Sequence, residues 1–126
     1  MSGAHTPGPW HVGRRASSSV QDSRSYGVAA CGGGNVIPLE ECQANARLVA
    51  AAPLMLEALE ARQAFVDHEN SSRDIPRRGE LPEIARAAVW REYDIKRVQL
   101  GQRAVTLRIA ALAAARGESP TRNEET

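Results

Sequence analysis

Aromatic side chains are nearly absent from this chain: one Phe, two Trp and two Tyr make up 4% of its 126 residues. That scarcity argues against a binder of single-stranded nucleic acid, which needs aromatic platforms for successive bases. Histidine and cysteine are as sparse, at three and two residues. His5, His11, His68, Cys31 and Cys42 show no CxxC, HxxxH or HExxH spacing, so neither a metal site nor any cofactor is expected. Two cysteines make no disulfide framework, and both are expected to stay reduced. No apolar run approaches the ~20 residues that span a bilayer. The residues from Met1 to Pro9 lack the basic start and apolar stretch of a secretion signal, so the expectation is a cytoplasmic protein without a membrane partner. An excess of one charge is missing too: 16 basic and 15 acidic residues leave +1, and bulk charge gives no drive toward a polyanion. Large apolar residues are the last shortage, because the 42% hydrophobic content includes 21 Ala. A chain of this length has room for one core, and a monomer's core would be thin.

What is present divides the chain at Pro38. Before it, Trp10-His11-Val12, Tyr26 to Cys31 and Asn35-Val36-Ile37 are short β-type runs between Ser-rich and Gly-rich stretches, with Gly32 to Asn35 suited to a tight hairpin. The polar segment from Arg14 to Ser25 reads as a mobile loop with at most a weak strand around Val20. After Pro38, Leu48, Ala52, Met55, Leu56, Leu59 and Val66 recur at helical spacing, and that face is expected to be buried. Pro53 inside this run implies a kink or two helices meeting there. A loop is expected from Asp67 to Gly79, and Pro82-Glu83 opens a second helix.

The second helix carries two apolar rows. Ile84, Ala88, Arg91, Ile95, Val98, Gln102, Val105, Ile109 and Leu112 alternate steps of four and three, a heptad seam. Val89, Tyr93, Leu100, Ala104, Leu107 and Ala111 form the other. A run from Pro82 to Arg116 would be about 50 Å long, with Gly101 a point where it bends or weakens. The shorter first helix cannot cover both rows, so a two-fold dimer through the second helix is expected. Trp90 and Tyr93, beside the seam, belong either to that interface or to the protomer's interior. Residues 38 to 70 hold six acids and two bases, and residues 77 to 116 nine bases and four acids. That partition favours antiparallel packing of the two helical regions. The reading is therefore an α+β fold: a small N-terminal antiparallel β-sheet (about 10–37) followed by a helical hairpin (about 39–68 and 82–116) with a long second helix. All of it forms a single domain over 1–117, with 118–126 a disordered tail.

No grouping of residues points to catalysis. Cys31 reads as a small apolar strand-end residue, Glu40-Glu41 and Glu57/Glu60 as solvated carboxylates, and the Gly32 to Gly34 run as a turn with no Lys-Ser or Lys-Thr after it. An enzyme is not expected. The arginines are the remaining candidates for recognition: Arg73, Arg77 and Arg78 in a loop, then Arg91 and Arg97 on the second helix.

Two segments resemble something known. His5-Thr6-Pro7-Gly8-Pro9-Trp10 and the run from Asn45 to Leu59, NARLVAAAPLMLEAL, are similar to a TPGPW lead-in and an NARLIAAAPELLEAL helix of short accessory proteins of tailed bacteriophages and prophages. Val49 replaces Ile, and Leu54-Met55 replaces Glu-Leu; from Asp67 onward there is no resemblance. The likeness implies a viral protein acting in the cytoplasm of a bacterial host, and it implies no reaction. Asn45 and Arg47 are the polar members of that helix, suited either to bonding the sheet's backbone or to a ligand. Three functions follow as expectations. The first is an anti-defence inhibitor that binds a host protein or defence complex stoichiometrically through Arg73, Arg77, Arg78, Arg91 and Arg97. The second is a sponge for a small nucleotide signal, with Trp10, Asn45 and Arg47 lining its pocket. The third, with nucleic acid as a less favoured partner, is a DNA-binding phage regulator.

Overall fold

The computed structural model describes residues 4–13, 18–32 and 38–118. Three short strands, β1 (Trp10–Val12), β2 (Ser19–Asp22) and β3 (Gly27–Ala30), form an antiparallel sheet in the order β1-β2-β3. Val20 stands opposite Val12 on one side and Ala29 on the other. The central strand is thus the weak strand expected around Val20, inside a segment that otherwise reads as a loop. Its single large apolar residue, Val20, is fully buried, and the turn after it is held by the Asp22 side chain. That carboxylate accepts from the backbone N–H groups of Arg24 (2.9 Å) and Tyr26 (3.0 Å) and from the Arg24 guanidinium at 2.6 and 2.9 Å. Ser25 takes the left-handed φ of 66° that closes the turn. The hairpin expected at Gly32 to Asn35 and the strand expected at 35–37 fall largely on residues 33–37, outside the described residues.

Burial pushes the Asp22 carboxyl up, but the Arg24 side chain, the Tyr26 and Arg24 amides and the Arg24 charge together hold it below its ordinary value of 3.8. A carboxyl lowered by folding stabilises the fold fully above its unfolded value, and that contribution disappears as pH falls through the folded one. The melting temperature is therefore expected to lose the Asp22 contribution only below pH 3.8. Asp22→Asn should melt lower than wild type at pH 7, with the gap between the two closing as the pH drops to 2. A gap that stays constant over that range would mean that the charge of Asp22 contributes nothing.

Proline and glycine mark the helices. Pro38 precedes α1 (Leu39–Ala50), Pro53 sits in the first turn of α2 (Ala52–Asn70), and Pro82 precedes α3 (Glu83–Arg116). Of the two outcomes expected at Pro53, two helices meeting is the one observed, with Ala51 as the junction. The loop expected from Asp67 starts later, since α2 runs to Asn70 and continues as a 3-10 turn over Ser71–Asp74. Gly117, at φ 73°, ends α3 in the left-handed cap that glycine favours.

The interior is built largely from alanine. Of the eight buried apolar residues among those described, six are Ala46, Ala51, Ala61, Ala104, Ala111 and Ala113. Such small side chains let helix backbones approach closely, and α1 lies against both the sheet and α3 while α2 lies against α3. His68 stacks on Tyr93 with ring centroids 4.5 Å apart, and the Phe65 ring covers Gly101. These contacts fix α2 and α3 antiparallel, as the charge partition predicts, although Arg97–Glu69 at 3.5 Å is the one ion pair between them among the described residues. A Cβ on Gly101 would come within 3.2 Å of Phe65 Cε2. The glycine therefore admits a ring, and α3 passes through it as one uninterrupted helix.

One expectation about burial is corrected, and one question that the sequence left open is decided. On the first helical region Leu48, Leu56 and Leu59 are exposed, because alanines take the close contacts instead. On α3 the second row faces inward, with Ala104 and Ala111 buried and Tyr93, Leu100 and Leu107 half-buried, while the heptad seam points out. Trp90 and Tyr93 belong to the protomer: both are half-buried, and their rings meet edge-on at 5.6 Å.

Candidate functional site

The segment between α2 and α3 carries Arg73, Arg77 and Arg78 beside Asp74 and Glu80, and its backbone is tied down at several points. The Arg77 amide donates to Glu80 Oε2 at 3.0 Å, and the Glu80 amide donates to the Arg77 carbonyl at 3.0 Å. Arg78 and Leu81 form an isolated bridge, with Gly79 at φ 94° between them. From the first turns of α3, Arg86 Nε donates to the Pro76 carbonyl at 3.1 Å, which anchors the loop to the helix. Arg73, Arg77 and Arg78 stand exposed on this braced frame. Arg78 lies 3.9 Å from Glu83, with its side chain 87% exposed. At that exposure the pair contributes little and leaves the guanidinium available.

The two α3 arginines do not join them on one surface. Arg97 turns inward to Glu69 and lies over the Phe65 ring at 6.0 Å. Arg91 is exposed in the heptad row, on a different side of the helix.

Nor are Trp10, Asn45 and Arg47 gathered into one pocket. Trp10 donates from Nε1 to the Thr6 carbonyl at 3.1 Å and forms one wall of a groove of about 370 Å³ with His5, Pro53, Leu56, Glu57 and Glu60. Gly8 lies under Pro53 there, so close that a Cβ would come within 2.7 Å of the ring. Asn45 is exposed on α1. The Arg47 side chain lies against Gly117, its Cδ 2.7 Å from where a Cβ would be. A cation at the C-terminal end of α3 lies at the negative end of the helix dipole, which is a structural use of this arginine that sequence spacing could not reveal.

Among the described residues no three His, Cys, Asp or Glu side chains converge on a point where a metal ion could bind. Cys42 is buried and Cys31 half-buried, and the two are not joined in a disulfide. No helix of the described residues is long and apolar enough to cross a membrane.

The family model of Salmonella phage P22 protein Y8K6 matches residues 1–92, nearly three quarters of the chain. The chain belongs to this phage protein family. The family match spans the sheet, α1, α2, the basic loop and the opening of α3, and it ends at Glu92, before most of the heptad row. No curated protein and no solved structure matches the chain.

Proposed function

We propose that this member of a phage protein family is an anti-defence inhibitor: it binds a host immune component stoichiometrically, in the host cytoplasm and without chemistry of its own. The observation that carries this reading is the braced loop with its exposed Arg73, Arg77 and Arg78. A loop whose backbone is already fixed loses less freedom on docking. Guanidinium groups suit a carboxylate-bearing protein surface, to which they bond through two N–H donors at once. Arg91 and Arg97 leave the proposed surface, since they face elsewhere.

Neither alternative has equal support. The groove beside Trp10 is walled by Glu57 and Glu60, which repel the phosphates of a nucleotide signal. For DNA, Arg86, Arg97 and Arg108 share one stripe of α3, but Arg86 is engaged by the Pro76 carbonyl and Arg97 by Glu69, which leaves few cations for phosphates.

Expression of the chain in a bacterium carrying a matched defence system is expected to raise phage plating at least tenfold, and the triple variant Arg73→Ala, Arg77→Ala, Arg78→Ala to abolish that gain while keeping wild-type helicity. The purified chain should recover one defence protein at 1:1 stoichiometry. A nucleotide found by mass spectrometry in its place, or DNA retention that falls with salt, would replace this reading with one of the alternatives.

A further inference from the structure

The heptad row of α3 is the largest feature that neither the fold nor the basic loop uses. Ile84, Ile95, Val98, Val105, Ile109 and Leu112 are 44% to 88% exposed and lie on the side of α3 turned away from α1 and α2. Together they present on the order of 600 Å² of mostly apolar surface, the upper limit of what ordinary monomers expose as one patch. The five from Ile95 to Leu112, joined face to face with their equivalents, would remove about 900 Å² from water, close to the roughly 1,000 Å² of a specific interface before flanking residues are counted.

We infer that this row is covered by the same row of a second copy, running antiparallel and centred near Leu100. The row pairs each of its polar residues with an apolar one only in that direction. Around that centre Ile95 meets Val105 of the second copy, Ala88 meets Leu112, Arg91 meets Ile109 and Val98 meets Gln102, so each of the two polar residues faces an apolar one. On one flank Asp94 then stands opposite Arg108, and symmetry repeats the pair farther along the same flank, beyond the two-fold axis. A parallel arrangement would place Arg91 against Arg91 and Gln102 against Gln102, and would give Asp94 no cation across the seam. Beside the row, an open groove of about 530 Å³ lined by Phe65, Val98, Gly101, Gln102 and Val105 offers room for side chains of the incoming helix. In this dimer Arg91 is enclosed by the seam, while the loop of Arg73, Arg77 and Arg78 stays free, so the inference stands or falls apart from the proposed function.

Analytical ultracentrifugation of the full chain tests it. Wild type is expected to sediment at twice 13.6 kDa at tens of micromolar, and Val105→Asp at the monomer mass with unchanged helicity. Arg91→Leu and Gln102→Leu should each tighten the dimer by about tenfold or more, since each replaces a polar group in an apolar layer. These gains do not depend on a destabilised variant folding. Asp94→Arg and Arg108→Asp should each weaken it roughly fivefold, and the two together should restore it, because exposed pairs of this kind are modest but reversible in sign. A monomeric wild type, or a dimer indifferent to Val105→Asp, overturns the interface. A dimer in which the double charge reversal fails to rescue overturns the antiparallel register.

Discussion

Replacing Ala46 by Leu is expected to lower the melting temperature by about 10 °C, since an overpacked core residue costs roughly 1–3 kcal/mol and a chain of this size loses several degrees per kcal/mol. Ala46 has no exposed surface and sits in α1, the helix that touches all three strands and α3. A larger side chain there has no solvent to turn into. The neighbours are also poorly placed to yield, because an interior made mostly of alanine contains few rotatable side chains and the backbones themselves must separate. Thermal melts followed by circular dichroism measure the shift. Ala44→Leu, at an exposed position of the same helix, is the control and should melt like wild type. Equal melting of the Ala46 variant would mean that α1 does not rest on the sheet.

The second large effect is expected from Gly32→Ala, at about 2 kcal/mol of destabilisation. A Cβ at this position would fall on the Sγ of Cys42 and within 2.9 Å of its Cβ. Cys42 is buried in the first turns of α1, so its Cβ cannot swing aside without moving the helix. Removing the sulfur should relieve part of the conflict. The double variant Gly32→Ala, Cys42→Ala is thus expected to be more stable than the two single changes predict, by at least about 0.5 kcal/mol in a double-mutant cycle. Strict additivity in urea unfolding would show that Gly32 and Cys42 do not meet.

These two sites also show where sequence reasoning stops. Helix boundaries were legible because Pro38, Pro82 and Gly117 act locally, through a fixed φ, a missing N–H or a left-handed cap. The two rows of α3 were legible as a period, but a period does not say which row is covered. Packing distance settles it: Ala104 and Ala111 admit a neighbouring backbone that Ile95 and Ile109 would hold off. The central strand was legible only as a weak strand around Val20, because Ser19-Val20-Gln21-Asp22 has one β-branched residue, and its stability comes from the burial of Val20 and from bonds that Asp22 makes beyond the strand. The basic loop could be read from Arg73, Arg77 and Arg78, whereas the bond from Arg86 to the Pro76 carbonyl that holds it could not. The grouping of Trp10 with Asn45 and Arg47 failed for a long-range reason, because Arg47 is used at Gly117, 70 residues further along the chain.

The length of α3 separates the molecule into two ends that communicate little. The arginine loop adjoins Glu83, where the helix starts, and Arg47 meets the chain at Gly117, just past its last residue. Between them lie 34 helical residues, a distance of about 50 Å. Perturbations so far apart, with no shared contacts, act additively. Substitutions in the loop can therefore change its charge while the sheet end keeps its full resistance to unfolding, and substitutions around Ala46 can drain stability without altering the arginines that the loop exposes. Selection can tune the two ends separately, and the loop can change its sequence at little cost to the sheet end.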